Sequence, residues 1–189
     1  AEEAVSHSER AIELDPFNAL FHGLSAKVLY FGGRYDDALV AARTALDSQP
    51  DMVLARDALQ LALYAKGMRD EHLTDRRDWI AGDAALVAAF DRGLAEGGYT
   101  GAMRGIADLL ATRLEQSGQA VGPGGFGIMG VAQQYLFAGD LDRAIESLEK
   151  AYEVRAPEVL VIGYGPLWEP LRSDPRFQDL RRRMGTPRD

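Results

Sequence analysis

The side chains and turns best suited to chemistry in this chain are few. Gly122-Pro123-Gly124-Gly125-Phe126-Gly127 satisfies the G-x-G-x-x-G pattern of a dinucleotide loop, and Asp140 and Asp142 follow at a distance suited to a ribose hydroxyl. Such a loop works only where a strand feeds it and a parallel sheet aims it at the pyrophosphate. The preceding segment, Tyr99 to Ser117, carries a helical pattern instead, and the loop lacks the Gly-Lys-Ser/Thr ending of a phosphate cradle. An inter-helix loop is the expected role.

The histidines His7, His22 and His72 stand alone, with no second histidine at i+3 or i+4 to make a helical metal pair. His72, near Asp75 and Asp78, is the least poor candidate for acid–base or metal work, but a polar residue on an irregular helix is the expected reading. No G-x-S-x-G elbow occurs. Arg181-Arg182-Arg183 with Arg172, Arg176 and Arg188 makes the tail locally basic, as expected of a helix end whose arginines complement the dipole. No catalytic residue, metal or cofactor is expected.

The bulk composition agrees. The 21 basic and 29 acidic residues leave a formal charge of −8, which argues against a nucleic-acid or anionic-membrane surface, since both need positive potential at the contact. Most of the excess lies early: residues 1–121 carry 19 acidic and 12 basic side chains. With no cysteine, disulfides and thiolate metal sites are excluded. No apolar run approaches the roughly 20 residues that span a bilayer, and Val159 to Ile162 reads as a short buried segment at most. The residues Ala1-Glu2-Glu3-Ala4 resemble neither a signal peptide nor a natural start, so a piece of a longer protein is expected.

The elements that would hold these residues are helices. In residues 1–16, Ala4, Ala11 and Leu14 fall at helical spacing before the stop Asp15-Pro16, and the next such stop, Gln49-Pro50, comes 34 residues later. Between them Gly33 ends one helix, Tyr35 fills the gap at the turn, and Ala38 and Ala45 let a second helix approach the first. Ala132, Tyr135, Gly139-Asp140-Leu141-Asp142, Ala144 and Ala151 repeat that pattern. The middle is irregular: His72 takes a slot that wants alanine, and Arg76-Arg77 follow where an apolar residue is expected. Tyr99 and Ala102, after the turn Gly97-Gly98, restore the pattern.

A period of 34 residues with small and aromatic residues in these slots resembles the tetratricopeptide (TPR) repeat. The resemblance implies an all-α, TPR-like helical-hairpin solenoid with a C-terminal capping helix, forming one repeat domain over residues 1–189. Within it, 1–16 reads as the second helix of a truncated repeat, 17–50 as a repeat and 51–82 as a degenerate one. Residues 83–117 read as a TPR-like pair, 118–126 as a glycine-rich loop, 127–156 as a repeat and 157–189 as the cap. In the cap, Leu167, Trp168 and Leu171 would cover the last repeat. Ser173 or Asp174 would cap a helix opened by Pro175, with Phe177 and Leu180 on its apolar face. The tail AGDLDRAIESLEKAYEVRAPEVLVIGYGPLWEPLRSDPRFQDLRRRMG is similar to the end of C-terminal TPR regions in large bacterial signalling proteins, where the repeats follow a Ser/Thr kinase, winged-helix or cyclase-type domain.

The resemblance also implies where a partner would sit. The first helix of each TPR pair lines a concave groove, which selects Lys27, Tyr30 and Phe31, then Asp57, Leu61 and Tyr64, then Asp91, and finally Gln133 with Phe137. His22 and Ser25 replace a usual tryptophan-like anchor and a usual leucine, and the lysine, asparagine and arginine set that grips a C-terminal carboxylate is missing. The expected function is a cytoplasmic scaffold or regulatory module of a signalling protein, a periplasmic setting being the alternative. It would hold a protein or peptide, or a second copy of itself, with no nucleic-acid or membrane partner. The alternative is a small-ligand sensor with a pocket among the irregular middle helices.

Overall fold

A computed structural model of the protein describes residues 2–117, 127–156, 159 and 165–185. The glycine-rich stretch 118–126 and the apolar run at 160–162 lie outside the described residues. Among those described, the regular structure is helical and no strand occurs. The chain divides into two compact units, residues 1–75 and 76–189. In both, helices pair into TPR-like hairpins, the all-α repeat class expected from the spacing.

In the first unit, α1 (Glu2–Leu14) packs on α2 (Ala19–Phe31), which pairs with α3 (Tyr35–Ser48); α4 (Val53–Ala65) then packs on both α2 and α3. The Asn18 side chain starts α2 by accepting from the Leu20 N–H at 3.1 Å. Gly33 stops it by adopting φ +75°, a left-handed turn in which the Arg34 N–H reaches back to the Leu29 carbonyl at 2.9 Å. Thirty-four residues on, Gly67 does the same after α4, with Met68 N–H donating to the Leu63 carbonyl at 3.0 Å. The slots read as small, Ala38 and Ala45, are sealed, and Ala26, Ala42, Ala55, Ala58 and Ala62 likewise have no solvent contact. At that closeness an added side chain overpacks the helix pair, at a cost of about 1–3 kcal/mol. The Tyr35 ring lies 5.8 Å from that of Tyr30, filling the turn.

The two departures in the first repeat have local explanations. The His22 ring donates through Nε2 to the Pro16 carbonyl at 2.8 Å, tying α2 to the turn before it. Ser25, in a slot that usually holds leucine, is buried with its hydroxyl 3.3 Å from that of Ser8 on α1, whose own proton goes to the Val5 carbonyl at 2.8 Å.

Helix α5 (Arg69–Trp79) differs most from the sequence reading. Both polar residues that interrupt its pattern, His72 and Arg76, are fully buried rather than solvated. Each lies beside aromatic faces: the His72 ring is 6.4 Å from Tyr64, and the Arg76 guanidinium sits 4.9 Å from the Trp79 ring and 6.0 Å from that of Phe137. A planar cation over aromatic rings is attracted by their quadrupole, which is how an arginine occupies an apolar slot.

In the second unit, α6 (Ala84–Ser117) is two arms, broken where Gly97 and Gly98 leave helical geometry. The arms fold back in register. A Cβ on Gly93 would lie 2.1 Å from the Gly101 carbonyl oxygen, and one on Gly105 would lie 2.4 Å from that of Ala89. Asp83 opens the first arm by accepting from the Ala85 and Leu86 N–H groups, each at 3.1 Å, and it also receives the Arg113 guanidinium of the second arm at 3.0 Å.

Helix α7 (Ile128–Phe137) packs on α6 and pairs with α8 (Leu141–Glu153) across Gly139, where Asp140 N–H returns to the Tyr135 carbonyl at 2.8 Å. Asp108 of α6 accepts from the Tyr135 hydroxyl at 2.8 Å and from the Arg143 guanidinium. Burial, then this hydrogen bond, pushes the Tyr135 phenol up to about 12. A 3-10 turn (Pro166–Leu171) and α9 (Pro175–Arg183) pack on α8, burying Leu167, Trp168, Leu171, Phe177 and Leu180. Asp174 supplies the cap of α9, accepting from the Arg176 N–H at 2.8 Å. The basic tail is largely neutralised: Arg176 meets Asp142 and Asp174, Arg182 meets Asp179, and Arg183 meets Asp179 and lies over the Tyr152 ring.

Candidate partner-binding face

The nine side chains selected from the sequence divide between the units. Six belong to the first, on α2 and α4. These two helices touch through Gly23, where an added Cβ would lie 2.9 Å from the Met52 Sδ and 3.6 Å from Leu54. Together with the packing of α2 on α1 and α3, that contact orients the helix. Ala26, Leu29 and Tyr30 turn inward, while Leu20, Leu24, Lys27 and Phe31 fall on one helical stripe that looks out. Tyr30 and Phe31 are adjacent yet opposite in fate, at 2% and 45% exposed.

The Lys27 ammonium pairs with the Asp57 carboxylate, joining α2 to α4 in a partly buried bridge. Lys27 also lies 5.8 Å over the Phe31 ring, whose edge meets Tyr30. Leu61 is buried beneath, and Tyr64 is half-buried with Arg69 stacked 4.2 Å from its ring. The face is therefore apolar along α2, with one internally neutralised charge pair across its middle. Tyr30 and Leu61 belong to the core that holds it, because their burial leaves little surface to touch a partner.

Leu20 and Leu24, at 49% and 45% exposed, were not selected from the sequence. The signal that finds them is the apolar spacing 20, 24, 31 on one stripe, which the groove register alone passes over.

The other three lie in the second unit. Asp91 is exposed and held by a two-pronged contact from Arg77, at 2.8 and 2.9 Å, which lowers its carboxyl below the usual range. Gln133 is half-buried, and Phe137 is buried beside Arg76. This unit also carries a cleft of about 720 Å³ on the α6 arms, lined by Ala89, Gly93, Gly105, Arg92, Arg104 and Asp108 among others. Among the described residues, no group of three or more histidine, cysteine, aspartate or glutamate side chains is placed to hold a metal, and no helix is long and apolar enough to cross a membrane.

Comparison with known proteins adds one finding. Residues 131–157, the α7 and α8 hairpin with its Gly139 turn, match the family model of the tetratricopeptide repeat. No curated protein matches the chain. Tetratricopeptide repeats are generally protein–protein interaction modules, and all-helical folds of this type are typically not enzymes.

Proposed function

We propose that the protein is an interaction module that holds a peptide or partner helix on the α2 and α4 face. The observation that carries this reading is the stripe of Leu20, Leu24 and Phe31, left open to solvent on a helix whose other apolar side chains are mostly packed. Three large apolar groups on one helix face suit the anchors of a bound helix or extended segment. Lys27, Asp57 and Tyr64 form the polar and aromatic frame of the contact. Asp91 and Gln133 are assigned to further contacts made by the second unit.

The similarity of the 138–185 stretch to the ends of bacterial signalling chains supports a place in such a protein, in the cytoplasm. Capture of partners from bacterial lysate by wild type, Phe31→Ala, Leu24→Asp and Tyr64→Ala tests the face. The variants are expected to lose the captured partner while keeping the helical spectrum, and undiminished capture by all three would remove the face from the function.

A second reading, a small-ligand sensor, is favoured by the cleft on the α6 arms, lined by small residues together with Arg92 and with Arg104, which also lies 3.5 Å from Asp140. A metabolite that raises the melting temperature of wild type but not of Arg104→Ala supports it.

A further inference from the structure

We infer that the occupant of the α2 and α4 face is a basic amphipathic helix whose cationic end lies where α2 and α4 begin. The inference rests on the face proposed above and concerns the chemistry of what fills it. Residues 1–75 hold thirteen carboxylates and seven basic side chains. Six of those cations already face carboxylates: Arg10 with Glu13, Lys27 with Asp57, Arg34 with Asp37 and Glu9, Arg43 with Glu71, Arg56 with Asp75, and Lys66 with Asp36. The seventh, Arg69, is stacked on Tyr64. The unit's surplus charge is therefore carboxylate.

That surplus is not spread evenly along the face. Ala19 packs against the cluster of Ala45, Met52 and Ala55, so the turns preceding α2 and α4 and the end of α3 come together at one end of the unit. Asp15, Asp47 and Asp51 lie there, all exposed, and among the described residues none makes an ion pair. Asp15 accepts only a neutral hydrogen bond, from the Asn18 amide at 3.1 Å. Two cations at this end are already committed: Arg56 to Asp75 at 2.8 Å and to the Pro50 carbonyl at 3.0 Å, and Arg43, one turn before Asp47, to Glu71.

An apolar stripe running away from an uncompensated acidic end has a direction. Leu20 and Leu24 lie next to the carboxylates, while Phe31 and Tyr64 lie at the far end, where Lys66 and Arg69 are engaged. A partner helix with apolar residues at i, i+4 and i+7 and lysines or arginines clustered at one terminus matches both features at once. The carboxylates then set its orientation and speed its arrival, while the stripe holds it.

The test uses three synthetic helical peptides of about 18 residues, with the same leucine and phenylalanine stripe and with lysine, glutamine or glutamate at one terminus. Binding to the whole chain is measured by fluorescence anisotropy at about 50 and 300 mM salt. The lysine peptide is expected to bind roughly tenfold or more tighter than the glutamate peptide at low salt, and to weaken as salt rises. Asp15→Asn, Asp47→Asn and Asp51→Asn combined should remove most of that preference, with an unchanged melting temperature confirming the fold.

If the three peptides bind alike, or the triple variant keeps the preference, the inference is overturned. Loss of all binding in Leu24→Asp would in that case leave the α2 and α4 face standing. Lysine-peptide binding that survives Leu24→Asp overturns both. Absence of binding by every peptide, with self-association that Leu24→Asp abolishes, replaces the basic helix with a second copy of the chain.

Discussion

Gly93 and Gly101 face each other across the α6 turn at backbone contact, leaving no room for a Cβ on either. Gly101→Ala therefore drives a methyl against a carbonyl that belongs to the other arm, and overpacking of this kind costs about 1–3 kcal/mol. Gly97, in the turn itself, has φ −142° and nothing within 4 Å of its added Cβ, so Gly97→Ala serves as the control. Urea unfolding followed by circular dichroism should separate the two variants, and equal midpoints would argue against direct backbone packing between the arms.

Asp83 should make the second unit sensitive to acid. The Arg113 guanidinium, helped by the Leu86 and Ala85 amides, lowers its carboxyl from 3.8 to about 2. Because the folded value is the lower one, the stabilisation is complete above the unfolded value and fades as pH falls toward the folded one. Asp83→Asn can still cap the helix arm but cannot form the ion pair. It is expected to lower stability at neutral pH and to flatten the loss between about pH 4 and 2, measured as unfolding free energy against pH. A slope equal to wild type would count against the ion pair as its source.

Removal of the Arg76 side chain should be among the more costly single changes. It empties a fully buried volume and takes a cation from the faces of Trp79 and Phe137. By analogy with other large-to-small core changes, Arg76→Ala is expected to cost about 2–5 kcal/mol. Arg92→Ala, at an exposed position, should stay within about 0.5 kcal/mol of wild type. Thermal unfolding of the two variants reads the contrast directly.

The Lys27 and Asp57 bridge can be weighed by a double-mutant cycle. Both side chains are mostly but not fully buried, at 22% and 28% exposed, so a coupling of about 1 kcal/mol is expected from Lys27→Met and Asp57→Asn. A coupling indistinguishable from zero would mean that Gly23 and the surrounding apolar contacts alone join α2 to α4.

Much of the scaffold was legible because it depends on size and turn chemistry. Ala38, Ala45, Ala132, Ala144 and Ala151 are sealed as their slots require, and Gly33 and Gly139 stand in the left-handed turns. The tail reading of Asp174, Pro175, Phe177 and Leu180 likewise depended on local capping and period. Arg76 and His72 were less legible, because charge in an apolar slot reads as solvated unless the aromatic rings that cover it are known. On α2, spacing places Lys27, Tyr30 and Phe31 together, but which of them faces out depends on helix rotation. That rotation depends on the packing of α2 against α1, α3 and α4, including the approach of Gly23 to Met52, residues far apart in the chain.

The carboxylate of Asp108 takes hydrogen bonds from Tyr135 on α7 and from Arg143 on α8 while itself belonging to α6. In a linear stack that touches only nearest neighbours, terminal helices can peel away one at a time. A shared acceptor couples the three, since detaching α6 or α7 breaks the partly buried Tyr135–Asp108 hydrogen bond and detaching α8 breaks the exposed Arg143–Asp108 pair. Amide exchange across α6, α7 and α8 should therefore converge on one opening free energy, with these helices melting in concert.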